Sequence, residues 1–171
     1  PHGLRPRRAD RRRHGEAPFQ RAVATLNGVL LVNLGTPAAP TPAAVRRYLA
    51  EFLSDPRVVG LPRLVWLPIL HGIVLTVRPA RSAAKYAAIW TAEGSPLAIH
   101  TARQAAFLRA KLPQVRVEYA MRYGEPSLGA GLARLAGYQR VILLPLYPQF
   151  GTSTTESVRD DGRAIRSSSP P

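Results

Sequence analysis

The sequence predicts an α/β fold, a parallel sheet with helices packed on both faces. Three observations carry that expectation. Two short aliphatic runs, residues 29–32 and 141–144, are bounded by Gly, Pro and polar residues, the pattern of strands buried on both faces. Between them lie segments whose apolar residues recur three and four positions apart, as helices packing one face require. The order strand, helices, strand, helix, strand leads to right-handed crossovers within one layered sheet.

Each element has its own signal. Residues 27–34 (NGVLLVNL) read as the first strand, ended by Gly35-Thr36-Pro37. Thr41 then supplies a helix N-cap and Pro42 the first helical position, and Val45, Tyr48, Leu49, Phe52 and Leu53 form one apolar face. Residues 61–77 are the most hydrophobic stretch, but they contain Arg63 and His71 and are interrupted by Pro62, Pro68 and Gly72. A transmembrane helix needs roughly 20 uninterrupted apolar residues, so a span is rejected. The stretch reads as a lip on a membrane surface or a pocket wall, with an ordinary core helix pair as the alternative. Residues 82–90 and 97–112 read as helices separated by Glu93-Gly94-Ser95-Pro96, and Pro113 stops the second. Residues 114–121 suit a strand, 127–135 a short helix with Leu128, Leu132 and Leu135 on one face, and 141–144 a further buried strand.

Composition narrows the function. The chain has 171 residues, 46% of them hydrophobic and 20% charged, enough to build a core. Cysteine is absent, which excludes disulfides, thiolate zinc sites and cysteine nucleophiles. The net charge of +14 divides into +5 over residues 1–25, +9 over 26–155 and zero over 156–171. Residues 1–26 therefore read as a basic disordered arm, 27–155 as the folded domain and 156–171 as a disordered or aberrant tail. No aromatic residue interleaves with the arginines of the arm, so a base-stacking platform, and nucleic acid as a partner, are not expected. No apolar segment follows the arm as a secretory signal would demand. The chain opens on Pro1 and its single methionine is Met121, so it reads as a fragment.

Ligands of open α/β sheets bind beyond the carboxyl ends of the strands. The loops there are Asn33-Leu34-Gly35-Thr36-Pro37, Met121-Arg122-Tyr123-Gly124 and residues 146–155 (LYPQFGTSTT). No G-x-G-x-x-G follows the first strand, and no G-x-x-x-x-G-K-[ST] occurs, which weighs against dinucleotides and nucleoside triphosphates. Flat apolar walls, a few donors and an arginine suit a large planar anion.

The motifs LVNLGTP (31–37), YLAEFLSDP (48–56), YAAIW (86–90) with GSP (94–96), MRY (121–123), and LYPQ (146–149) with STT (153–155) occur in this order. In order and spacing they resemble the N-terminal half of ferrochelatase, in the style of Gram-negative bacteria. The resemblance implies a Rossmann-like, chelatase-like half, a tetrapyrrole cleft between two similar domains, and insertion of Fe2+ into protoporphyrin IX to form protohaem. It implies that Leu34 lies near one face of the macrocycle and that Arg78, Arg81 and Tyr86 turn toward the propionates. It further implies that Arg122, Tyr123, Tyr147, Phe150 and Ser153 line the cleft, and that residues 61–77 form a lip touching the membrane. A cytoplasmic protein, peripheral to the inner membrane, follows from the same likeness.

Chelation needs a bent macrocycle, a path for a desolvated metal and a base for two pyrrole protons. In the family the catalytic His and Glu lie in the C-terminal half, so the resemblance implies no catalytic residue and no resident metal or cofactor here; Fe2+ is substrate. His71 and His100 read as structural, since neither pairs with a second ligand at metal spacing. The chain alone is expected to be inactive. Two further readings are a non-catalytic tetrapyrrole- or anion-binding module and a basic nucleic-acid binder using the arm. A chelatase acting on sirohydrochlorin or cobalt would carry metal-binding histidines not found here. Phe150-Gly151 departs from the family's usual Tyr-Ser, and the likeness is read as stopping at Glu156.

Overall fold

A computed structural model of the chain describes residues 28–138, 140–147, 155–156 and 158–162. The basic arm, Phe150 and Ser153 lie outside the described residues.

Strand β1 (Gly28–Gly35) leads to α1 (Pro42–Ser54) and α2 (Arg63–Ile69). A wide helical turn, Leu70–Val74, joins α2 to α3 (Leu75–Ile89). Then follow α4 (Pro96–Lys111), β2 (Arg116–Tyr123), α5 (Leu128–Ala133) and β3 (Val141–Pro145). The three strands form one parallel sheet in the order β2-β1-β3. The α/β architecture expected from the sequence is present.

Alternation along β1 builds the layers. Val29 and Leu31 pack with Ala105 of α4 and with Val115 and Val117. Leu30 and Val32 point the other way, into Ala120, Leu128, Leu132, Leu135 and Val158. A third cluster lies at the carboxyl end of the sheet, where Val45, Tyr48, Leu49 and Leu53 of α1 meet Leu70, Leu75, Ala83 and Tyr123.

Residues 61–77 are not the broken segment that their prolines imply, because α2, the wide turn and α3 run on as one helical rod from Arg63 to Ile89. Pro79 has no N–H to donate to the Leu75 carbonyl one turn back. Arg46 of α1 fills that vacancy, its Nη1 lying 2.7 Å from the Leu75 oxygen. Trp66 Nε1 in turn donates to the Leu53 carbonyl at 2.6 Å, one of the acceptors left open at the end of α1. Among the described residues no helix is long and apolar enough to cross a membrane.

Three expectations need correction. Strand β2 ends at Tyr123, so Arg122 and Tyr123 belong to the strand rather than to its exit; pairing of Gly35 with Tyr123 extends the ladder. Strand β3 is an edge strand with Ile142 and Leu144 exposed, because α4 covers β2 and β1 on that face. Residues 158–162, assigned to a disordered tail, are helical, and Val158 is fully buried against the α5 side of the sheet.

Candidate functional site

The carboxyl ends of β1 and β2 are drawn together at two points, Gly35 against Tyr123 and Gly124 against the Thr36 carbonyl. Gly35 has φ +109°, and a Cβ there would collide with the Tyr123 carbonyl. Only glycine lets β1 turn away at that proximity. Beside it, Tyr48 donates its hydroxyl to the Gly35 carbonyl at 3.3 Å.

At the end of β1 and just past it the polar groups are fixed by one another. Asn33 Nδ2 donates to Thr101 Oγ1 at 2.9 Å, and Thr101 Oγ1 donates to the Leu97 carbonyl at 2.7 Å. Asn33 Oδ1 accepts the Leu34 amide at 2.8 Å, while the hydroxyls of Thr36 and Ser95 lie 2.9 Å apart. These contacts tie the β1 loop to the start of α4. Leu34, half-buried, packs against the α1–α3 cluster.

The centre of the site is Asp55, a residue for which the sequence reading gave no role. It caps the C-terminal end of α1 with its carboxylate buried. Oδ2 accepts from Arg122 Nη2 at 2.7 Å and from the Tyr123 hydroxyl at 3.0 Å, and Oδ1 accepts the Arg57 amide at 2.8 Å. The Arg122 guanidinium also lies 4.6 Å from the Tyr123 ring centre and 3.4 Å from Asp161. Its side chain is 12% exposed. Burial by itself would raise the Asp55 carboxyl. The Arg57 amide, the Tyr123 hydroxyl and the Arg122 charge outweigh that and hold it below the usual carboxylate range. A second carboxylate of α1, Glu51, accepts the Gly124 amide at 2.9 Å. Helix α1 thus clamps the end of β2 twice.

Aromatic rings line the same region. Phe52 meets Tyr123 edge-on at 5.0 Å, and Tyr86 meets Tyr48 and Trp90 edge-on at 6.5 Å each. Burial, reinforced by the neighbouring Tyr86 and Tyr123, pushes the Tyr48 phenol well above its ordinary value. Burial likewise raises Tyr86, only partly offset by a hydrogen bond with Tyr48. Tyr147 is pushed up to about 12 by burial, against an opposing effect of Arg122, and its buried hydroxyl has no hydrogen-bond partner among the described residues.

Arg78 and Arg81 stand apart from this polar centre. They lie within α3, and both are exposed. At about 100° per residue, Arg78 sits about 80° and Arg81 about 140° around the helix from Tyr86, so the three do not share one face. The structure therefore joins Arg122 and Tyr123 through Asp55, leaves Arg78 and Arg81 toward solvent, and turns Tyr86 into the aromatic cluster. His71 and His100 are exposed. Among the described residues no group of three His, Cys, Asp or Glu side chains could hold a metal ion.

Sequence reasoning missed Asp55, Tyr48 and Asp161. Asp55-Pro56 at the end of a helical pattern signals a helix stop, but nothing local names a partner 67 residues away.

The comparisons with known proteins agree with one another. A family model described as Ferrochelatase matches residues 26–170. The chain is 56% identical over 151 residues to a ferrochelatase of Azoarcus sp. (strain BH72), covering 85% of this chain and 42% of that protein. It is 61% identical over 138 residues to a ferrochelatase of Methylibium petroleiphilum, covering 77% and 38%. With a ferrochelatase of Xanthomonas axonopodis pv. citri the identity is 56% over 144 residues, covering 83% and 45%. The chain thus spans less than half the length of these curated relatives. The family match also continues through residue 170, past Glu156, where the sequence reading saw the likeness stop.

Proposed function

The chain belongs to the ferrochelatase family, and from that premise we propose that it serves the insertion of Fe2+ into protoporphyrin IX to form protohaem, supplying one wall of the porphyrin cleft. The observation that carries this reading is that α1 and its C-cap fix both strand ends: the end of β2 bonds to the buried Asp55 carboxylate, and the end of β1 accepts from the Tyr48 hydroxyl. Such bonding fixes Leu34 and the aromatic rings before a ligand arrives, and a rigid apolar wall is what bending a planar macrocycle requires. Bending tilts the pyrrole nitrogen lone pairs out of the ring plane, and binding energy from the distant propionates offsets its cost.

In this reading Arg78 and Arg81, exposed and without an ion pair among the described residues, meet the porphyrin carboxylates. Arg122 and Tyr123 are positioning residues, engaged with Asp55, that hold the wall. Leu34, Tyr86 and Tyr147 complete the lining, to which the family resemblance adds Phe150 and Ser153, outside the described residues. The described residues gather no His–carboxylate pair at this site, so the chain on its own binds porphyrin without metallating it, and Fe2+ remains a substrate of the longer relatives' reaction. A Soret-band titration of the purified chain with protoporphyrin IX tests the reading. Saturable binding without Fe2+ or Zn2+ insertion is expected. No binding would remove the cleft assignment, and turnover by the chain alone would contradict the division of labour.

A specific observation also favours membrane contact. Val65, Ile69, Ile73 and Val77, each four residues from the next, are all exposed along the α2–α3 rod, with Leu64 beside them and Leu61 just before its start. Arg63, Arg78 and Arg81 flank this apolar stripe, the composition of a surface-seated helix. The reading places the protein in the cytoplasm, peripheral to the inner membrane. Sedimentation with anionic vesicles that is lost in Ile73→Asp supports it, and unchanged sedimentation would refute it.

A further inference from the structure

A second buried carboxylate lies at the other end of β2. Glu118 is five residues before Tyr123, roughly 16 Å along the strand at the usual rise, and its side chain is 6% exposed. Three arginines from three elements surround it. Arg116 Nη2 from β2 itself lies 2.7 Å from Oε1, Arg109 Nη2 from the end of α4 lies 3.4 Å from Oε2, and Arg134 Nη1, just after α5, lies 3.8 Å from Oε2.

Part of this cluster has a structural purpose. Among the described residues β2 is a sheet edge, and Arg109 Nε donates to the Val117 carbonyl at 2.7 Å. That bond covers an acceptor the sheet leaves open. Helix α4 is thereby tied to β2 on one side, and Arg134 brings the α5 segment to the same carboxylate from the other.

The structural purpose does not use up the charge. Three guanidinium groups face one carboxylate, leaving an excess of two positive charges within a few ångströms. Only the Arg116 contact is short; those of Arg109 and Arg134 are too long for well-made hydrogen bonds. The arginine side chains are 44%, 55% and 50% exposed for Arg109, Arg116 and Arg134, so several of their N–H donors face solvent. Glu118, buried beneath them, holds the three heads together against their mutual repulsion. A tetrahedral dianion matches both the excess charge and the fork geometry of guanidinium donors.

We propose that Arg109, Arg116 and Arg134, gathered by Glu118, form a binding site for a phosphate dianion, remote from the porphyrin wall. The phosphate is either free, the terminal group of a nucleotide, or a lipid headgroup.

The test titrates inorganic phosphate into the full chain, with ionic strength held constant by chloride, and follows amide and arginine side-chain NMR shifts. Saturable shifts centred on Arg109, Arg116 and Arg134 are expected. The double variant Arg116→Gln/Arg134→Gln binds phosphate about tenfold more weakly, and Glu118→Gln, which releases the three heads from one another, also binds it more weakly. If Glu118→Gln fails to fold, Arg134→Gln decides: its head group is half-exposed and loosely held, and weaker phosphate binding at an unchanged melting temperature supports the site. A nucleoside 5′-monophosphate and phosphatidylcholine vesicles carrying phosphatidic acid are titrated in parallel. Tighter binding of either supports the site and identifies its source, and preference for inorganic phosphate assigns it to the free ion. No saturable phosphate binding, or equal binding by the double variant, overturns the proposal.

Discussion

Strand β2 is held at both ends by a buried carboxylate facing arginine, and the two ends differ in what surrounds the cation. At the carboxyl end Arg122 is 12% exposed and shares Asp55 with the Tyr123 hydroxyl and the Arg57 amide. At the amino end Glu118 is as deeply buried, but its three arginines are about half exposed. A charge pair inside the protein fixes geometry, because removing either member strands the other away from water. A buried carboxylate beneath solvated cations fixes their position while leaving their hydrogen bonds free for a ligand. In the proposed readings the first arrangement serves as a wall and the second as a receptor.

The contrast is sharpest in stability. Asp55→Ala is expected to cost about 3 kcal/mol or more in urea unfolding, because it removes the short carboxylate contact of the buried Arg122 guanidinium. Glu118→Gln is expected to cost less, about 1–2 kcal/mol, since each freed arginine reaches water. Equal losses at the two sites would remove the distinction.

Acid separates the ends in a second way. The folded-state pKa of Asp55 is depressed, so its contribution is fully present above the unfolded carboxyl value near pH 4 and is lost as pH falls through the lower folded value. Urea midpoints should fall across that window in the native chain and fall less in Asp55→Asn. An identical acid profile in the variant would show that Asp55 is not the group titrating. The smallest effect belongs to the exposed pair Arg103–Glu93, 2.9 Å apart with both side chains more than 60% exposed. Arg103→Ala should change stability by less than about 0.5 kcal/mol.

How much of this was legible in the sequence depended on how local each signal was. The first strand and α1 were readable because their determinants are adjacent: the run at 29–32, the Thr41 cap that accepts the Ala44 amide, and Pro42. The end of β2 was not, because its last two residues are strand only by pairing with β1. The continuity of the α2–α3 rod was hidden by Pro68 and Gly72, and past them it takes Arg46 from another helix to satisfy the carbonyl that Pro79 leaves open. The exposure of β3 depends on which strands α4 covers, a property of topology rather than of an aliphatic run. The site was half legible. Motif order located Arg122 and Tyr123, but a carboxylate 67 residues earlier decides what they touch.

The central claim is that Arg122 shapes the porphyrin wall through Asp55, whereas Arg78 and Arg81 meet the porphyrin carboxylates. Its most direct test is a Soret titration comparing protoporphyrin IX with its dimethyl ester, which lacks the carboxylate charges. Arg78→Gln/Arg81→Gln should weaken binding of the free acid and leave the ester unchanged, while Arg122→Gln should weaken both by the same factor. Selective loss of the free acid in Arg122→Gln, with the ester unaffected, would contradict the account.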